Sequence, residues 1–160
     1  MIAWRFAPFA ELSAVDVHDI LQARSAVFVV EQNCVFQDVD GVDPQCWHLL
    51  GRPPRAGEGE NGLLLAYCRL VPPGIKYPEA SIGRVLTTEA GRRQGLGREL
   101  MAEALRRTHA LWPGQALRIG AQMYLEHFYG EFGFARCSEP YDEDGIMHIE
   151  MVRNQEGANG

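Results

Sequence analysis

Apolar residues change their spacing along this chain, and turn residues stand at each change. Trp4-Arg5-Phe6 alternates with the two-residue period of a short strand. Val17, Ile20, Leu21, Ala23, Val27 and Phe28 then recur at helical spacing. Ser13 stands ahead of them with Asp16 three residues on, a loose capping box. A turn-rich segment, Gln37 to Pro44, precedes a strand at Trp47 to Leu50. Gly51 to Gly62, GRPPRAGEGENG, predicts a solvated hairpin loop. Leu63 to Val71 is a long apolar run that predicts a central strand, ended by Pro72-Pro73-Gly74. Ala80 to Leu86 predicts another strand. From Gly95 to Leu111 the period is helical again, with Leu96, Leu100, Met101, Ala104, Leu105 and Leu111 on or near one face. Pro113-Gly114 stops this helix.

The remainder is shorter in rhythm. Leu117 to Ala121 predicts a strand, and Leu125 to Phe132 a short helix with Gly133 at its end. Ala135 to Ser138 begins a strand, Asp142 to Gly145 is a turn, and Ile146 to Val152 is a last strand. Asn154 to Gly160 reads as a flexible tail. No linker divides residues 1–153, so they predict a single domain. The order β-α-β-β-β-α-β-α-β-β predicts an α/β fold, a mixed sheet with helices on its faces.

Composition narrows the function. The 160 residues are 46% apolar, enough for one sizeable core. A net charge of −6 argues against a nucleic-acid partner. No run approaches the ~20 apolar residues that span a bilayer, so no membrane association is expected. The first twenty residues carry Glu11, Asp16 and Asp19 and do not read as a signal peptide. Cys34, Cys46, Cys68 and Cys137 are scattered, the pattern of reduced thiols in a cytoplasmic protein. Cys46 and His48 lack a second ligand pair at zinc spacing. Asp38, Asp40 and Asp43 fail as a calcium loop, because Val42 stands at the fifth position and Asp43 where glycine belongs. No metal is expected.

The candidate chemistry begins at Arg92-Arg93-Gln94-Gly95-Leu96-Gly97-Arg98, between the Ala80–Leu86 strand and the following helix. A helix N-terminus offers free N–H groups to an anion, and glycine lets the chain approach it closely. A nucleoside-triphosphate loop needs Gly-Lys-Ser or Gly-Lys-Thr, which is absent. A dinucleotide loop needs glycine at position 100, which is leucine. What is left is Arg-x-x-Gly-x-Gly.

Strand, short turn, Arg-x-x-Gly-x-Gly and amphipathic helix together resemble the pyrophosphate loop of the GNAT superfamily, acyl-CoA-dependent N-acyltransferases. Gln122 to Phe134, with Tyr129 and Gly133-Phe134, resembles that family's Asn…Tyr-x-x-x-Gly-Phe signature. Gln122 stands where asparagine is usual, and Leu125 where alanine is common. VFVVEQNCVFQDVDGVD (residues 27–43), PPGIKYPEASIGRV (72–85) and YDEDGIMHIEM (141–151) are similar to the ElaA-like branch. The resemblance covers nearly the whole chain. It implies a mostly antiparallel sheet of six to seven strands, splayed at strands four and five. It implies acetyl-CoA as cosubstrate and a small-molecule or peptide amine as acceptor. Leu86 and Thr87 would meet pantetheine through their backbone. Arg92, Arg93, Gln94, Gly95, Leu96, Gly97 and Arg98 would hold the pyrophosphate, with Gln122 also on the cofactor.

The resemblance makes Tyr129 the general acid, and a phenol's reference pKa of ~10 suits donation to a thiolate. Glu31 closes the apolar run Val27 to Val30, where partial desolvation would favour a base; pairing with Arg24 is the alternative. His48 competes for the role, and His148 and Glu150 share a strand face that is either solvent or acceptor groove. An ordered water relay is a further route. If the acidic turn borders the acceptor site, Asp38, Asp40 and Asp43 would attract a cationic amine. A CoA-binding module without turnover and an acyl-homoserine-lactone synthase-like enzyme are the competing functions. A homodimer is compatible with an exposed edge strand or with the apolar C-terminal strand.

Overall fold

The structure is a computed structural model and describes residues 1–54, 62–92 and 94–155. β1 (Ala3–Pro8), β2 (Trp47–Arg52), β3 (Ala66–Val71) and β4 (Ser81–Thr87) pair antiparallel in that order. In a second sheet β5 (Leu117–Gln122) pairs antiparallel with β8 (Ile146–Arg153). β8 also holds the short strands β6 (Ala135–Arg136) and β7 (Tyr141–Glu143). That makes eight strands among the described residues, one or two more than expected, because β6 and β7 are short.

The sheets meet at a parallel bridge between Ala80 and Leu117, where Arg118 N–H donates to Ala80 C=O at 3.0 Å. Beyond it β4 and β5 have no ladder between them. They start together and part, which is the expected splay.

The first sheet is buried on both faces. Leu49, Ala66 and Cys68 join α3 (Leu96–Leu111), which follows the one-turn α2 (Glu89–Arg92), and the second sheet in the main core, while Leu50 and Tyr67 join Ile20 and Ala23 of α1 (Ala14–Arg24). Neighbours in sequence thus point to opposite cores, which is why β3 reads as a continuous apolar run. α1 starts with the predicted capping box: Ser13 Oγ accepts from Asp16 N–H at 3.0 Å, and Asp16 Oδ2 accepts from Ser13 N–H at 3.2 Å.

Several boundaries differ from expectation; Asp142 and Glu143, for one, belong to β7 and not to the turn. The first helix does not run on unchanged through Val27 and Phe28, because Ser25–Glu31 widens into a π-helix. Such widenings are frequent at functional sites. Gly51 and Arg52 belong to β2 rather than to a loop; the rest of the expected hairpin loop falls mostly on residues 55–61, outside the described residues. Leu63–Leu65 precede β3 as irregular chain, although Leu65 N–H still reaches Gly51 C=O at 2.8 Å. Gln155, assigned to a flexible tail, is buried, with Oε1 2.8 Å from His109 Nδ1. A polar side chain can dock as firmly as an apolar one when it finds a partner, and no hydrophobic pattern announces that. Residues 156–160 lie outside the described residues.

Candidate active site

Where β4 and β5 part, a groove of about 460 Å³ opens. Its walls are Ile82 to Thr87 of β4 and Ile119 to Gln122 of β5. Val27 and Phe28 of the π-helix, Tyr129 of α4 (Glu126–Gly130) and His148 of β8 complete it. The volume is that of an ordinary small-ligand site.

β4 pairs with β3 along one edge only, so its other edge faces the groove. It is also bulged. Tyr67 stands opposite Leu86 but Arg69 opposite Gly83, so β4 carries one extra residue there. Within the bulge Arg84 has φ +52°, a left-handed conformation that costs a non-glycine residue about 1–3 kcal/mol. Among the described residues the other two non-glycine positions with positive φ, Asn33 and Asp144, also stand at the groove's rim: Asn33 lies between Gln32 and Cys34, and both of those and Asp144 line it.

Three aspartates and three arginines hold the bulge. Arg84 Nε donates to Asp38 Oδ1 at 2.8 Å, and Arg24, fully buried, donates from Nε to Asp38 Oδ2 at 2.8 Å and from Nη1 to Asp43 Oδ1 at 2.7 Å. Arg69 grips Asp40 through two bonds, of 2.9 and 2.6 Å, and Asp43 at 2.9 Å. Hydrogen bonding from Arg69 holds the Asp40 carboxyl well below the usual carboxylate range. Burial pushes Asp43 up, but Arg24 and Arg69 together bring it down. These aspartates are therefore matched charge for charge. The expectation that they attract a cationic amine is corrected: the turn is a structural clamp, with only Asp40 reaching the groove wall.

Opposite the bulged strand, Tyr129 is 7% exposed and lines the groove. Among the described residues its hydroxyl has no hydrogen-bond partner. Burial raises its phenol well above the ordinary range, which keeps it protonated. Edge-on contacts with Phe128 and Phe134, centroids 5.2 and 6.1 Å away, fix the ring. Gln122, at the end of β5, lines the groove, and its Nε2 donates to Gln32 Oε1 at 3.3 Å across it.

At the Gly-rich turn, Gly95 has φ +66° and caps α3 without a side-chain hydrogen bond. The first N–H groups of α3, from Leu96, Gly97 and Arg98, thus have no capping side chain. The nearby arginine side chains are engaged elsewhere. Arg92 Nη2 donates to Glu31 Oε2 at 2.5 Å, and Arg98 pairs with Glu131. Leu96 turns its side chain into the core. Gln94 is exposed, and Nε2 donates to Ala90 C=O at 3.3 Å. Arg93 lies outside the described residues. The cradle is thus a backbone one and suits a pyrophosphate.

Two residues that the motif did not single out set this turn in place. Gly91 lies so close to β3's approach that a Cβ there would sit 2.2 Å from Leu65 C=O. Thr88 Oγ1 donates to Leu64 C=O at 2.8 Å, and Thr88 C=O accepts from Gly91 N–H at 2.9 Å. The glycine in Glu-Ala-Gly was the available signal.

The expected bases fare differently. Glu31 is exposed rather than desolvated, pairs with Arg92 rather than Arg24, and is absent from the groove lining. His48 lies inside the fold: Nε2–H donates to Asp43 C=O at 3.0 Å, and Nδ1 is 2.8 Å from Tyr67 Oη. Burial lowers its pKa, so it is a neutral core residue. His148 does line the groove, and Glu150 pairs toward Arg118 at 3.9 Å instead.

A β4 edge open where two sheets part, a bulge in that strand, and a bare helix N-terminus beyond it define the frame of an acyl-CoA N-acyltransferase. Residues 74–154 match the Acetyltransferase (GNAT) domain model, and the chain belongs to the GNAT family. It is 43% identical to a UPF0039 protein of Synechocystis sp. over 94% of each chain. The structure resembles an acyl-CoA N-acyltransferase from Pseudomonas aeruginosa, with TM-score 0.87 and 39% identity over 96% of this chain and 99% of that one. It also resembles Escherichia coli ElaA, with TM-score 0.85 and 40% identity over 96% of this chain and all of that one. Family members use acyl-CoA and act on amines. No helix among the described residues is long and apolar enough to cross a membrane.

Proposed function

We propose that this protein transfers an acetyl group from acetyl-CoA to a primary amine, by direct attack within a ternary complex. One observation carries the reading: the unpaired edge of bulged β4 faces the buried Tyr129 phenol across the groove. Pantetheine would lie along Leu86 and Thr87, replacing the missing strand. The pyrophosphate would rest on the N–H groups from Gly95 to Arg98, with Arg92 at the rim and Gln122 on the far wall. A β4 N–H near Leu86 would polarise the thioester carbonyl, a contribution of a few kcal/mol in comparable sites.

The amine nitrogen attacks the carbonyl carbon, the C–N bond forms and the C–S bond breaks. The thiolate takes the Tyr129 hydroxyl proton, and the proton shed by the new amide nitrogen replaces it. Glu31, at the mouth and matched by Arg92, would serve through water, so a group inside the groove suits proton removal better. Four free thiols fit a cytoplasmic setting.

The test is thiol release from acetyl-CoA with a lysyl peptide, spermidine and phenethylamine as acceptors. Amine-dependent release supports the reading. CoA binding without release with any amine points instead to a binding module.

A further inference from the structure

Where β7 and β8 line the groove, two proton-accepting groups, His148 and Glu143, converge. His148 is nine-tenths buried on β8, opposite Gln122 of β5 and Tyr141 of β7. Its ring stacks on Tyr141, centroids 5.9 Å apart at 27°. Nδ1 lies 2.8 Å from Ile146 C=O. A carbonyl oxygen only accepts, so Nδ1 carries the proton, and the neutral ring keeps its lone pair on Nε2. That Nε2 is 3.3 Å from Glu143 Oε2, another acceptor. The two groups need a shared proton, and both line the groove. A ligand bearing several N–H bonds can bridge them and satisfy both. A primary ammonium is such a ligand.

We propose that His148 and Glu143 form the acceptor subsite: Glu143 receives the incoming ammonium and His148 Nε2 takes its first proton. This rests on the acyl-transfer reading and adds the group that reading lacked. The balance is simple. R–NH3⁺ gives one proton to Nε2 and becomes R–NH2, whose lone pair attacks the thioester carbon. The imidazolium is held by Glu143 and then releases its proton to solvent. The second proton leaves the tetrahedral nitrogen and restores Tyr129. The tautomer is set by β8's own backbone, so the base is oriented before any ligand arrives.

Other charges face this pair. Tyr141 is on β7, Asp144 is in the β7–β8 turn, and Lys76 and Arg84 stand on the groove wall, with Asp40 beside Arg84. Lys76, the chain's single lysine, also lines the groove; it feels the charge of Glu143 but has no aspartate or glutamate within salt-bridge distance among the described residues. An acceptor carrying a carboxylate or phosphate near its amine therefore matches this end better than a polyamine does.

The test compares wild type, His148→Gln and Glu143→Gln by thiol release. Two nucleophiles are used: the fastest alkylamine of the panel, and hydroxylamine, which is already neutral at pH 7. His148→Gln should lower kcat/KM for the alkylamine about 100-fold, the lower range for a lost general base. It should also make the alkylamine rate rise with pH as the free amine does, leave CoA affinity within about threefold, and leave the hydroxylamine rate within about threefold. Glu143→Gln, at an exposed side chain that does not threaten folding, should raise alkylamine KM about tenfold while preserving the hydroxylamine rate. Equal losses with both nucleophiles, or none with either, overturn the subsite and leave the acyltransferase standing. No turnover by wild type with any nucleophile overturns the acyl-transfer reading itself, and the subsite with it.

Discussion

The two ends of the groove are made of different materials. The end assigned to the cofactor is backbone: a left-handed Gly95, bare helix N–H groups and an unpaired strand edge. The end assigned to the acceptor is side chain: His148, Glu143 and Lys76. A backbone cradle recognises one constant partner and tolerates change in its side chains, since Arg92 and Arg98 are engaged with Glu31 and Glu131. A side-chain pocket can be altered one residue at a time. Relatives sharing this frame can therefore share a cofactor and differ in acceptor.

Between the ends lies the arginine–aspartate clamp, and breaking it should have the largest effect. Asp38→Ala leaves buried Arg24 and the bulge residue Arg84 without their shared carboxylate. Removing one partner of a buried pair costs about 3–5 kcal/mol, which thermal unfolding would record as a lowered Tm. The released bulge should also lower kcat. The same clamp sets the response to acid. Asp40 and Asp43 have lowered folded pKa values, so their stabilisation is present above the unfolded value of about 4 and is lost as pH falls below it. His48, also lowered, contributes in the same direction: the unfolded chain binds its proton first, from about pH 6.5 downward. Tm should fall from pH 7 to pH 3, and a flat profile would contradict the clamp.

Tyr129→Phe separates the ends by chemistry. It should lower kcat about 100-fold, or about 2.7 kcal/mol of barrier, with CoA affinity unchanged. Wild-type turnover would remove Tyr129 from the mechanism. Gly95→Ala acts on the backbone end. An alanine at φ +66° costs about 1–2 kcal/mol, and CoA Kd should rise about tenfold while kcat at saturation holds. A change in alkylamine KM with CoA Kd intact would reverse the assignment of the ends.

The smallest effect is expected from Glu31→Gln. An exposed pair with Arg92 is worth less than about 1 kcal/mol, so stability and kcat should stay within about threefold of wild type. A 100-fold loss of kcat would make Glu31 the base and displace His148.

This asymmetry also governs what the sequence could reveal. Backbone sites leave glycines at fixed spacing, so Arg92-x-x-Gly95-x-Gly97 was readable, and Tyr129 followed from Gly133-Phe134. The splay at strands four and five came with the same resemblance. The acceptor end depends on register. Nothing in the sequence says that His148 faces Gln122, or that a two-residue turn swings Glu143 back onto its imidazole. The partners of the acidic turn are hidden for the same reason: Arg24, Arg69 and Arg84 are 14 to 46 residues away from Asp38 and its neighbours, and only the fold brings them together. The π-helix escaped notice because widening changes the hydrogen bonds and leaves the apolar spacing nearly intact.

The most direct measurement is a crystal structure of the protein with acetyl-CoA. The account predicts pyrophosphate oxygens on the N–H groups of Gly95 to Arg98, pantetheine along Leu86 and Thr87, and the thioester sulfur within hydrogen-bond reach of the Tyr129 hydroxyl. A cofactor seated with its thioester away from Tyr129, or with its pyrophosphate off the α3 N-terminus, would contradict it.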